Sequence, residues 1–353
     1  MTERLLLEDF LPDSQLVVPQ HQVDRARFPA IDAHNHLRWL SRDGEPGERS
    51  ELPPHLLIEA LDRHNVRGIV DLDGFVGGRL DYALDVIKAQ YPERVAVLAA
   101  LDWSVCSDPG WPTALVEQFT QAVARGADGL KVSKSLGLRY RDEANRLIPV
   151  DDSRLSDLWG AVADAGVCVL IHVADPVAFF RPLDGRNERW DELHLRPDWS
   201  WYGPEFPSFE ALMDQLLGLV GKHPGTLFQV AHVGSYAENL SWVADALLRP
   251  HPNVYCDISE RIAELGRQPH TARRFLIEFE DRVLFGTDRP PLGPWYPYYF
   301  RFLETFDDYF PHGPEVPPRQ GRWNIHGVGL PDSVLDKLYR RNALRLYPGL
   351  VAD

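Results

Sequence analysis

The segment Asp32-Ala33-His34-Asn35-His36 sets polar side chains at alternate positions of an otherwise apolar run. Alternate residues of a strand share a face, so His34 and His36 point the same way and can chelate one cation. Further along the chain, single polar residues sit within or close apolar runs: Lys131 after Leu130, His172 after residues 167–171, His232 after 227–231, Asp257 after 253–256 and Asp288 after 283–287. A polar group buried without a partner is costly, and nothing adjacent in the sequence compensates these. A divalent cation does. Held by imidazoles and one carboxylate with a position left open, it acidifies water from a pKa of about 15.7 to about 7. A histidine or aspartate beside it, within hydrogen-bond reach, then moves the proton.

Side chains so far apart in sequence meet only if the elements carrying them converge. Apolar, β-rich runs recur at residues 30–34, 68–73, 95–102, 128–133, 167–172, 226–232, 253–258 and 283–288. Helical periodicity separates them, as at 53–65 and at 208–221, where Ser208 is the cap signal. Eight such repeats over about 260 residues match an α/β fold of the (β/α)8 TIM-barrel type. An open doubly wound sheet also alternates, but no glycine-rich nucleotide loop follows an early strand. In an open sheet strands one and eight lie far apart, whereas in a barrel all strand C-termini open on one mouth. His172 and His232 are 60 residues apart against 41 between Lys131 and His172, so an insertion follows strand five. It covers residues 175–206, is dense in Phe, Trp, Pro and Arg, and reads as a lid or pocket wall. Residues 1–28 form an N-terminal extension and 289–329 a long segment after strand eight. No internal boundary appears, so 1–353 reads as one domain.

DAHNH at strand one, LIHVADP at strand five, VAHVGS at strand six, VYCDIS at strand seven, LFGTDRP at strand eight and the closing helix at 339–346 together resemble the amidohydrolase superfamily. Within it they are most similar to the amidohydrolase-related branch of aminocarboxymuconate semialdehyde decarboxylase, γ-resorcylate decarboxylase and pyrone dicarboxylate lactonase. The resemblance covers most of the chain. It implies a divalent metal, zinc ahead of manganese, bound by His34, His36, His172 and Asp288, with His232 beside it as a catalytic histidine. Lys131 alternates with Leu130 and Val132 and so faces the barrel interior if those two face the helices. Three readings of it stand open: a carboxylated lysine bridging two metals, as in other branches of the superfamily; a substrate contact; or a structural ion pair with Asp257. Asp257 itself could instead hydrogen-bond a ligand histidine. Asp32 reads first as a strand anchor.

Arg181, Arg186 and Arg189 of the insertion, with Arg261 after strand seven, are candidates to meet a substrate carboxylate with two parallel hydrogen bonds. Trp201 and Tyr202 could wall a pocket for a ring-shaped substrate or pack the insertion onto the barrel. The 353 residues are 44% hydrophobic and 25% charged, which is globular composition. Thirty-seven basic against 52 acidic residues leave a net charge of −15, a field that repels nucleic acid and anionic lipid. The longest apolar runs fall short of the roughly 20 residues that span a bilayer, and Cys106, Cys168 and Cys256 form no paired motif. A cytoplasmic enzyme with a small-molecule substrate is the expectation, with the segments after strands five and eight as surfaces for self-association into a homo-oligomer. The leading activity is metal-dependent hydrolysis of a small cyclic amide, lactone or ester-like bond. Non-oxidative decarboxylation of a small aromatic or unsaturated carboxylic acid is the alternative. A non-catalytic binding protein that keeps the barrel is a third reading, and it expects a missing ligand where none is missing.

Overall fold

A computed structural model describes residues 5–37 and 53–351; the first four residues of the N-terminal extension lie outside them. Strand propensity and burial produce eight parallel strands in chain order: β1 (Ala30–Asn35), β2 (Val66–Phe75), β3 (Val95–Ala100), β4 (Gly129–Val132), β5 (Cys168–Ile171), β6 (Leu227–Val230), β7 (Val254–Asp257) and β8 (Val283–Leu284). Helices separate them, among them Pro54–Arg63, Trp111–Arg125, Ser156–Asp164, Phe209–Lys222 and Pro269–Glu278. Ser208 caps Phe209–Lys222 by accepting the Ala211 N–H at 3.1 Å. The first and last strands meet: Ala33 N–H donates to the Phe285 carbonyl at 3.0 Å and Asp288 N–H to that of His34 at 2.8 Å. The expected (β/α)8 barrel is closed by this seam. No helix among the described residues is long and apolar enough to cross a membrane.

The seam depends on two residues. A Cβ on Gly286 would lie 2.9 Å from the His34 Cβ, so glycine is what lets the last strand pass the paired histidines of the first. The buried Asp32 carboxylate accepts the Thr287 N–H at 3.0 Å and hydroxyl at 2.6 Å, the Tyr296 hydroxyl at 3.0 Å and the Asn35 amide at 2.9 Å. It therefore ties the first strand to the segment after the last.

Strands three to eight all stop earlier than periodicity suggests, and at β6 and β8 the backbone shows why. β6 ends at Val230 because His232 and Val233 adopt left-handed backbone, φ 60° and 57°. β8 keeps two residues, since the chain then bends to bring Asp288 to φ 53° at the mouth. Inside the barrel Ile31, Ala33, Val70, Leu72, Ala96, Leu98 and Leu170 pack together, while Leu130 and Val132 join the layer under the helices. Lys131, in register with Leu170, consequently points inward. Ala343, Leu346, Tyr347 and Leu350 plug the opposite end, where the Tyr347 hydroxyl donates to Gln229 Oε1 at 2.7 Å.

The insertion after β5 is packed down. Phe179, Phe180 and Trp201 are buried, and the Arg189 side chain, 1% exposed, pairs with the equally buried Glu264 and with Glu192 at 2.9 Å. Removing one partner of a buried pair leaves the other charge uncompensated, which costs about 3–5 kcal/mol. Arg189→Met is expected to lower the urea midpoint correspondingly at an unchanged slope. A loss under about 1 kcal/mol would mean that the pair does not hold the insertion.

Candidate metal centre

Four imidazoles and one carboxylate converge at the mouth. His36 Nε2 lies 3.5 Å from Asp288 Oδ1, and His34 Nε2 and His232 Nε2 lie 3.6 and 3.8 Å from Oδ2. Donor atoms of His34, His232 and Asp288 all fall within 4.8 Å of one another. These separations are too long for hydrogen bonds. They approach the spacing of ligands on one ion, since donors about 2.1 Å from a tetrahedral centre stand roughly 3.4 Å apart. The His172 ring packs edge-on against His232, centroids 4.4 Å apart. Its Nε2 is buried with no hydrogen-bond partner among the described residues and stands 3.4 Å from Asp175 Oδ1.

Three of the rings are oriented from behind. Asp257 Oδ2 accepts from His34 Nδ1 at 3.0 Å, Asp73 Oδ1 from His36 Nδ1 at 2.8 Å, and the Ser259 carbonyl from His232 Nδ1 at 2.9 Å. An acceptor at Nδ1 places the proton there and leaves the Nε2 lone pair facing Asp288. The donor set thus fits a divalent ion. Asp257 is itself held by the Gln229 amide at 2.7 Å, the His232 N–H at 3.1 Å, the Ser259 N–H at 3.1 Å and the Ser259 hydroxyl. The bond to His232 N–H fastens the left-handed turn that carries this histidine, a conformation stored where surrounding contacts over-determine it.

The electrostatics agree. Burial opposes ionisation of Asp257, but His34 and the converging donors outweigh it and hold the carboxyl below its ordinary range. Asp288 is likewise pushed up by burial and pulled down further by His34, His36 and Lys131. Burial takes His172 down to about 4 and His232 well below 6.5, so both are neutral at pH 7 and carry free lone pairs. Burial lowers Lys131 to about 8 against the raising effect of Asp288, Asp257 and Asp73.

The expected residues divide. His34, His36, His172, His232, Asp288 and Lys131 gather at the mouth. Arg261 is buried within electrostatic reach of His232, its Nη1 donating to the Glu260 carbonyl at 2.8 Å. Trp201 is buried, whereas Arg181 and Tyr202 flank it in a cleft of about 360 Å³ that none of the imidazoles borders. Arg181 there faces Glu210 at 3.4 Å, and Arg186 is exposed. The structure does not bring Arg181, Arg186 or Tyr202 to the imidazoles, because polar heads on the outer side of the insertion keep their hydration. Sequence reasoning missed Asp73, Asp175 and Ser259. Asp73 closes strand two as the other polar residues close theirs, a signal present in Asp71-Leu72-Asp73. Asp175 and Ser259 lie beyond strand ends, where period-two alternation no longer assigns a direction.

The amidohydrolase family model (Amidohydro_2) matches residues 31–349. None of the curated proteins matches the chain. Among solved structures the chain is similar to the 2,6-dihydroxybenzoate decarboxylase from Rhizobium, with 17% identity over 91% of this chain and 99% of that one and a TM-score of 0.55. It is similar to the dihydroxybenzoic acid decarboxylase from Polaromonas sp. JS666 with bound manganese and 2-nitroresorcinol, at 16% identity, 91% and 97% coverage and a TM-score of 0.57. A zinc-bound amidohydrolase (COG3618) from Burkholderia multivorans matches at 16% identity, 90% and 99% coverage and a TM-score of 0.51. At these identities the likeness is one of fold. With the family model spanning the whole barrel and its convergent histidines, the chain belongs to the amidohydrolase family.

Proposed function

We propose that the protein is a metal-dependent hydrolase of a small cyclic amide, lactone or ester-like compound. The observation that carries this reading is the set of Nδ1-anchored imidazoles whose Nε2 atoms face one ionised carboxylate. His34, His36, His172 and Asp288 hold the ion, and the buried, unbonded Nε2 of His172 supports its place among them. A divalent ion there polarises a carbonyl oxygen and acidifies water. Asp288 is ionised at neutral pH and takes the proton of the attacking water. His232, neutral and with Nδ1 engaged, has its Nε2 lone pair 3.8 Å from Asp288 Oδ2, free to accept that proton and pass it on to the leaving group. Lys131 holds a substrate oxygen as charge develops on it.

A second reading, non-oxidative decarboxylation, is favoured by one feature. Lys131 and Arg261 are buried cations within reach of Asp288 and His232, and a carboxylate is what such a pair would hold. The dihydroxybenzoate decarboxylases of the same fold support it.

His34→Ala with His36→Ala is expected to reduce the metal from about one ion per chain to under about a tenth by elemental analysis. Retention of the full complement would remove these residues from the site. His172→Ala should lose metal, whereas His232→Asn should keep it and its far-ultraviolet dichroism while turnover falls by at least about a hundredfold. The reverse pattern would move the fourth ligand position to His232. Metal-loaded protein incubated with lactones, amides and hydroxybenzoates should release acid without carbon dioxide. Carbon dioxide from a hydroxybenzoate would replace the hydrolase reading with the decarboxylase one.

A further inference from the structure

Asp175, three residues beyond His172, has no role in the proton transfers above, yet it is among the most heavily bonded side chains at the mouth. The Lys134 ammonium donates to both of its oxygens, at 2.7 and 2.6 Å, and the Trp201 indole N–H donates to Oδ2 at 2.7 Å. Its Oδ1 stands 3.4 Å from His172 Nε2. Burial works against ionisation, but Lys134 and His172 keep the carboxyl well below the usual range. Trp201 comes from the far end of the insertion and is 3% exposed. The Arg139 guanidinium lies 4.8 Å over its ring, Phe206 meets it edge-on at 5.2 Å, and the Trp201 backbone N–H donates to the Phe179 carbonyl at 2.8 Å. The indole is therefore fixed from several sides and offers a single directed N–H to the site.

We infer that the Trp201–Asp175 hydrogen bond couples the seating of the insertion to the metal centre, with both residues acting as positioning residues for His172. The inference rests on the proposed metal site. A carboxylate held by a rigid indole on one oxygen keeps the other 3.4 Å from the same Nε2 that faces the ion, so it acts as a fixed negative charge beside that nitrogen and the cation and not as an acceptor behind the ring. Lys134 alone cannot do this, because an ammonium on a flexible stem bonds both oxygens without selecting an orientation.

The test uses the full chain and zinc(II) or manganese(II) alone as the probe. Trp201→Phe removes the N–H and keeps most of the ring, Trp201→His restores a donor on a smaller ring, and Asp175→Asn removes the charge. Competition with a chelator is expected to show metal binding weakened about tenfold in Trp201→Phe and at least as much in Asp175→Asn, with Trp201→His recovering most of the loss. Thermal midpoints report packing separately. Equal weakening in Trp201→Phe and Trp201→His, or wild-type affinity in Trp201→Phe, would overturn the coupling. In the metal-free protein the ring ¹⁵N signals of His172 should shift in Trp201→Phe and return in Trp201→His. Wild-type protein that takes up no metal while these signals respond would sink the metal site and leave the coupling standing. Signals that do not respond would sink the coupling itself.

Discussion

A carboxylate buried without water must be ionised and fully bonded, or it becomes protonated. Asp257 meets that condition with donors from four residues, and the geometry of the mouth follows. Its two oxygens take His34 Nδ1, the Gln229 amide, the His232 backbone N–H and both donors of Ser259. One acceptor thereby sets the tautomer of His34 and the turn that aims His232. Asp73 does the same for His36 from the neighbouring strand. The lone pairs that face Asp288 are a result of what stands behind the rings, which is why the site is organised from the barrel lumen outward.

Much of this was legible in the chain. Alternation placed Lys131 in the lumen on the condition that Leu130 and Val132 face the helices, which they do. The rule that polar residues end buried strands found His34, His36, His172, His232, Asp257 and Asp288. The rule works because a barrel turns every strand end toward one opening. It failed where the backbone leaves the strand. The left-handed turn at His232 and Val233 has no signature in residue type, as neither is glycine and Val233 is β-branched. Asp175 and Ser259 lie past the ladder, where direction is decided by tertiary contacts. Arginines in the insertion carried no information about which would be buried. Arg189 went inside because Glu264, on the short helix Ile262–Leu265 after β7, was there to meet it, and Arg181 and Arg186 stayed out.

The insertion after β5 is anchored at two separate points by two kinds of interaction. Arg189 joins it to the β7 side through a buried ion pair, and Trp201 joins it to the β5 side through a neutral donor. The ion pair is insensitive to small displacements, since charge attraction falls slowly with distance. The indole bond is directional and fails over a few tenths of an ångström.

The plug of the barrel reaches further than its packing suggests. Tyr347 donates to Gln229 Oε1, which turns the other end of that amide toward Asp257. Gln229 in the opposite flip would present an oxygen to a carboxylate. The Ala33 carbonyl accepts from the same amide nitrogen at 3.0 Å and fixes that flip, so the network behind His34 joins the first strand to a phenol more than 300 positions later in the chain. A change in the seat of Tyr347 at the foot of the barrel therefore reaches the strand-one histidine through a relay of hydrogen bonds, Tyr347 to Gln229 to Asp257 to His34, without touching the mouth directly.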